Sequence, residues 1–200
     1  MQTEIEVKFS NIDIADIQKR LKAAGGVCEQ PMRLMKRVVI QEPHHVAEHS
    51  FIRIRDEGNR VMLAFKRRKD PYARALHDVK EIEVEVSDFD ATVELFREAG
   101  WSYVTLQENR RETWHLNDVE VVIDEWPWLK PYIEIEGETE ENLKEAAKKL
   151  NLDWDKVIIG NIDVLYEHEY HFQEGFRGVI DLTEVRFDDP LPPQFTPKEL

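Results

Sequence analysis

The chain lacks what would tie it to an oxidising compartment, a membrane or a nucleic acid. It has one cysteine, Cys28, in 200 residues. No internal disulfide can form, and a thiolate metal site has no donors to draw on. No apolar run approaches the roughly 20 residues of a membrane-spanning helix. The first residues read as a strand rather than as a basic and then apolar leader, so no signal peptide is expected and the cytoplasm is the expected location. Basic charge is short as well: 27 Lys and Arg stand against 41 Asp and Glu, a formal net charge of −14. Phosphate backbones are bound by basic fields, so nucleic acid is not an expected partner. The sequence shows no glycine-rich phosphate loop and no Ser-His-Asp arrangement.

What is present is charge at a spacing of two. In Glu4-Ile-Glu-Val-Lys-Phe9, a strand would turn Glu4, Glu6 and Lys8 to one face and Ile5, Val7 and Phe9 to the other. The same grammar returns at Glu81, Glu83 and Glu85, at Arg53 and Arg55, at Lys66 and Arg68, and at Glu134 and Glu136. Paired carboxylates on one strand face suit a hard divalent cation, which takes oxygen ligands.

Periodicity and punctuation predict the elements. Strands are expected at 3–9, Arg37–Gln41, Phe51–Arg55, Arg60–Arg67, Val79–Val86, about 103–116, 119–125 and 132–136, with a short last one at Val185–Phe187. Helices are expected over Asp13–Ala24, Phe89–Ala99, from a Thr139 cap to Leu150, and over Trp154–Tyr170. The tail from Pro190, with four prolines, reads as a peripheral end. Two hundred residues suffice for one good-sized core. Two arrangements fit this α+β pattern. One is an open antiparallel sheet with a wet, charged face. The other is a closed barrel with the charges inside and helices packed on its apolar outside. Acids and bases are segregated by strand, and the amphipathic helices need an apolar face to cover; both points favour the barrel.

The ordered set of motifs resembles the CYTH superfamily of triphosphate tunnel metalloenzymes, which includes class IV adenylate cyclases, thiamine triphosphatases and inorganic triphosphatases. Glu4-Ile-Glu-Val-Lys8 matches its Glu-x-Glu-x-Lys signature. The likeness continues through Ile52-Arg-Ile-Arg55, Leu63-Ala-Phe-Lys66, Glu81-Ile-Glu-Val-Glu85, Asn109-Arg-Arg-Glu-Thr-Trp114, Ile123-Asp-Glu-Trp-Pro-Trp-Leu129 and Tyr132-Ile-Glu-Ile-Glu-Gly137. The resemblance implies an eight-stranded antiparallel β-barrel with helices outside, formed by residues 1–175, with 176–200 as a C-terminal extension. It implies Glu4, Glu6, Asp124, Glu134 and Glu136 as ligands of Mg²⁺ or Mn²⁺, and Arg53, Arg55, Lys66 and Arg111 as the phosphate grip. Lys8 would be the signature lysine, read either as a proton acceptor or as an ion-pair partner of Glu6. Asn109 departs from a pattern that usually reads Lys-x-Arg, and Arg110 has the outward parity.

The implied substrate is a small triphosphate: tripolyphosphate, ATP or thiamine triphosphate. Three readings follow: a metal-dependent triphosphatase, a class IV adenylate cyclase forming cyclic AMP and pyrophosphate, and a non-catalytic binding module. The full set of metal carboxylates argues against the last. Glu81, Glu83 and Glu85 read as charge balance for tunnel cations. His44, His45, His49, His168 and His171 read as surface residues, and Trp114, Trp126 and Trp128 as core or hinge aromatics.

Overall fold

Alternation of charged and β-branched residues gives strands whose two faces demand opposite environments, and closing the sheet on itself meets that demand. The computed structural model describes residues 2–68 and 79–198. Its strands are β1 (Gln2–Ser10), β2 (Val27–Ile40), β3 (Ser50–Asp56), β4 (Val61–Arg68), β5 (Val79–Val86), β6 (Tyr103–Leu116), β7 (Val119–Glu125), β8 (Tyr132–Gly137), β9 (Tyr170–Phe172), β10 (Glu184–Val185) and β11 (Phe195–Pro197). Its α-helices are α1 (Ile14–Ala23), α2 (Pro43–Ala47), α3 (Phe89–Glu98), α4 (Glu140–Lys149) and α5 (Ile162–Glu169). The ladder runs β6-β2-β3-β4-β5-β1-β8-β7, and β7 pairs back to β6, so eight antiparallel strands return to their start. β10 joins β6 in parallel at Leu106 and Gln107. Among the described residues, no helix is long and apolar enough to cross a membrane.

The outer faces carry the apolar residues. Ile5, Val7, Phe9, Trp114, Leu116, Val121, Ile123, Ile133 and Ile135 pack under α1 (Ile17, Leu21) and α4 (Leu143, Ala146, Ala147). α3 covers Val38, Ile40 and Ile54 with Val93 and Phe96. The helices start at residues that can satisfy their free N–H groups: Asp13, Asp88 and Thr139 each accept a backbone N–H from the first turn.

Three expectations are revised. β2 starts at Val27, ten residues before the β-branched run at Arg37. Register shifts between Cys28 and Gln30 and between Gln30 and Arg33 break the alternation that would have revealed it. The span 154–170 is not one helix. A 3₁₀ turn at Trp154–Lys156 leads to Ile158, whose N–H and carbonyl both bond the Lys8 backbone at 2.9 Å, and only then does α5 begin. The proline-rich tail is anchored. β11 pairs with β9, and buried Phe195 stacks on Tyr166, Tyr170 and Phe172 in a second core with Trp126, Tyr132, Val179 and Val185.

That second core holds an acid outside the barrel. Asp163 accepts the Val179 N–H at 2.9 Å, and a Cβ at Gly178 (φ +123°) would lie 2.1 Å from its Oδ1. Burial, with Glu167 and Asp181 nearby, pushes Asp163 up from 3.8 to about 6. The folded chain therefore binds this proton more tightly than the unfolded chain. Stability from this group is fullest below about pH 4 and falls as pH rises to about 6. Asp163→Asn should flatten that slope in melting temperature; parallel curves for the two chains would show that its burial is not felt.

Candidate active site

Among the described side chains, the inner faces of the ring carry the ion pairs of Glu6, Lys8, Arg53, Arg55, Lys66, Glu81 and Glu134. Across β1, β8 and β7, Glu6 lies in register with Glu136, and Glu136 with Glu120. One step along, Lys8 lies opposite Glu134 and Glu134 opposite Val122. The Lys8 ammonium sits 2.6 Å from Glu6 and 3.3 Å from Glu134. Burial opposes its charge, but Glu134 and Glu6 more than offset that and raise its pKa. Burial also disfavours a charged Glu134, yet Lys8 and Arg111 hold it down to about 2. Glu136 shows the opposite balance. Burial and the carboxylates of Glu134, Glu6 and Glu120 push it up to about 7. The row is thus an oxygen-only cluster with more negative charge than Lys8 neutralises. Glu120 continues towards His115 and Glu29, whose ligand atoms lie with its own within 4.8 Å. His115 and Glu29 are exposed and already paired at 2.8 Å.

A step further in, Asp124 is fully buried. Its two oxygens accept four hydrogen bonds: from Arg111 Nε at 2.8 Å and Nη2 at 2.5 Å, from Asn109 Nδ2 at 3.2 Å and from the Tyr132 hydroxyl at 3.0 Å. A carboxylate has about four acceptor positions. All of those on Asp124 serve to hold Arg111, Asn109 and Tyr132 in place.

The basic side is formed by β2, β3, β4 and β6. Arg53 bonds Glu81 and Glu83, each at 3.3 Å; Arg55 pairs with Glu57; Lys66 lies 2.7 Å from Glu81. Glu81 and Glu83 of β5 therefore balance tunnel cations, as expected, whereas Glu85 is exposed. Arg37 joins them, opposite Arg55 in register. Burial, together with Arg53 and Arg111, lowers Arg55 to about 10. Burial, with Arg55, Arg53 and Arg111 nearby, also lowers Arg37 well below the usual arginine range. Among the described residues, the buried Nε–H groups of Arg37, Arg53 and Arg55 have no hydrogen-bond partner. Buried donors are nearly always paired, so three orphans on one inner wall mark a place where an acceptor belongs.

The match to the CYTH domain family model spans residues 2–157. The chain belongs to the CYTH domain family. No curated protein matches it. Among solved structures, a conserved hypothetical protein from Pyrococcus furiosus aligns with a TM-score of 0.67 at 23% identity, over 82% of this chain and 99% of that one. A proposed adenylate cyclase from Vibrio parahaemolyticus aligns at 0.69 and 10% identity, over 83% and 98%. A proposed adenylyl cyclase from Hippeastrum, described as having dominant triphosphatase activity, aligns at 0.51 and 17% identity, over 76% and 89%. At these identities the likeness is one of fold.

On this CYTH barrel Glu6, Lys8, Glu134 and Glu136 come together, as do Arg53, Arg55, Lys66 and Arg111. The backbone of Glu4 pairs in register with Val79; its side chain, expected to be a metal ligand, lies outside the described residues. Arg110 points outward over Phe187, 4.2 Å from the ring centroid. His44, His49, His168 and His171 are exposed, but His45 is buried: its Nδ1 accepts the Glu42 N–H at 3.1 Å in the capping box of α2. Trp114 and Trp126 are core residues, with Trp126 also forming a floor under Arg37. Sequence reasoning missed Arg33, Arg37, Glu57, Glu120 and Tyr132. The parity of Arg33 and Arg37 was a usable signal once β2 was extended towards the N-terminus. Glu57 sits in a hairpin turn, where an acid reads as solvated.

Proposed function

We propose that the chain is a divalent-metal-dependent hydrolase of small triphosphates. The observation that carries this reading is the row of unpartnered buried arginine donors facing a carboxylate cluster with surplus negative charge. A linear triphosphate carries about four negative charges at neutral pH, and the Arg side and a metal ion held by the acidic side would neutralise it from both ends.

The donor set fits Mg²⁺ or Mn²⁺. Glu6, Glu134 and Glu136 would supply hard oxygens, and a bound cation would offset the burial and the crowding by Glu134, Glu6 and Glu120 that raise Glu136. Asp124 is better suited to orienting Arg111, since its acceptor positions are taken. When bound, the metal would polarise the phosphoryl oxygens. The chain's own residues do the rest. Arg53, Arg55 and Arg111 fork onto phosphoryl oxygens, Lys66 adds a point charge, and their pairing to Glu81, Glu83, Glu57 and Asp124 fixes each before substrate arrives. The pairing of Lys8 with Glu6 and Glu134 supports a fixed-charge role over that of a proton acceptor.

Hydrolysis is favoured over cyclisation because the orphan donors on the inner wall all suit phosphates. Cyclisation further requires the ribose hydroxyl to be held in line with the α-phosphorus. With Mg²⁺ or Mn²⁺, phosphate release from tripolyphosphate should exceed cyclic AMP formation from ATP at the same pH. Dominant cyclic AMP with negligible free phosphate would assign the cyclase reaction instead.

A further inference from the structure

Among the described residues, the three arginines whose charges press on Arg37 each have a carboxylate. Arg53 has Glu81 and Glu83, Arg55 has Glu57 and Arg111 has Asp124. Arg37 is as buried as these, at 9% exposure, and among the described residues it forms no salt bridge. Its side-chain partners are neutral. Nη2 donates to Asn109 Oδ1 at 2.6 Å, and the guanidinium lies 4.7 Å from the centroid of the Trp126 ring. Its Nε–H is buried without a partner. Arg55, Arg53 and Arg111 repel it, and Asp124 attracts it only across the Asn109 amide, without touching it. An arginine cannot escape such a place by losing its proton. Burying its charge uncompensated is costly, and a bound anion would remove that cost.

We propose that Arg37 is a further phosphate-binding residue, which receives a phosphoryl group of the bound triphosphate while Asn109 and Trp126 hold its guanidinium plane. This rests on the triphosphatase reading above. The asymmetry between Arg37 and its neighbours has a consequence. Arg53 and Arg55 also have a free Nε–H, but their Nη2 groups are held by carboxylates, whereas Arg37 is bonded to a neutral amide, so its charge is left for the substrate. Asn109 is the right partner for this work. Its amide bridges Arg37 and Asp124, accepting from one and donating to the other. A lysine at 109 would satisfy Asp124 but repel Arg37.

The test compares the full-length parent with Arg37→Met and Arg37→Lys, by calorimetric titration with inorganic tripolyphosphate in Mg²⁺ and by melting without ligand. Arg37→Met removes the charge and keeps the stem. It should weaken tripolyphosphate binding by about 10- to 100-fold, the range for a charge-assisted hydrogen bond. Its ligand-free melting temperature should equal or exceed the parent's, because an uncompensated charge has gone. Arg37→Lys keeps the charge but loses the fork, and should bind about tenfold more weakly than the parent. Unchanged affinity in either variant overturns the inference. So does a ligand-free Arg37→Met that melts well below the parent, since that marks a structural residue. An Arg37→Met that does not fold at all is the extreme of that result and overturns the inference as well. A parent chain that does not bind tripolyphosphate would sink the triphosphatase reading itself, a result distinct from a binding parent and an equally binding variant.

Discussion

Asp124→Ala should cost the fold about 3–5 kcal/mol, the usual result of removing one partner from a buried ion pair. The reason is the number of groups that this carboxylate serves. Its loss leaves Arg111 buried without a counter-charge, the Tyr132 hydroxyl and Asn109 amide without an acceptor, and Arg37 beside another unopposed cation. Denaturant melts would measure it. A second substitution locates the cause: Arg111→Met should restore much of the loss in the Asp124→Ala background, yet should itself destabilise the parent. Strictly additive effects in this cycle would show that the two side chains do not act as a pair.

Turnover should respond most to the acidic row. Glu134→Gln keeps the volume of the side chain and removes a charge that Lys8 and Arg111 hold ionised far below neutral pH. Activity with Mg²⁺ or Mn²⁺ should fall by about two orders of magnitude or more, since even supporting groups around a metal are worth 10- to 100-fold. The fold should survive, because Lys8 keeps Glu6 at 2.6 Å. Glu6→Gln should behave similarly. Arg110→Ala is the control from the opposite face and should change little. If Glu134→Gln and Glu6→Gln turn over like the parent in the same metal, the ligand assignment is wrong.

Much of this arrangement was legible in the sequence because a strand leaves a clean signature. The alternation in Glu4–Phe9, in Glu81–Val86 and in Tyr132–Gly137 predicted which side chains share a face, and the ladder places them so. β6 and β7 match their predicted bounds, since Asn117-Asp118 breaks the pattern between them. What stayed hidden was whatever depends on register or on distant chain. Arg33 and Arg37 enter the chamber from a strand whose start is masked by two register shifts and Pro31. Asn109 looked like a missing cation, and only strand pairing shows an arginine from β2 reaching it. The Pro-rich tail carries no periodicity, yet its one aromatic residue, Phe195, is buried against Tyr166, Tyr170 and Phe172, which belong to other elements. A choice between an open and a closed sheet could not come from alternation alone, because both give the same pattern. It is settled by the pairing of β6 with β7.

Turning the charges inward also decides what an approaching substrate meets first. Inside, arginines and lysines largely face carboxylates, so the formal charge of −14 is worn mostly by the outer surface. A free triphosphate anion, the substrate proposed above, should therefore be repelled at long range even if the chamber holds it at short range. Salt screens such repulsion over about 10 Å at 0.1 M. Capture of the bare anion should accordingly quicken as ionic strength rises, the reverse of an enzyme that steers its substrate by opposite charge. The metal complex of the same anion, with less charge to repel, is the species this surface admits most readily.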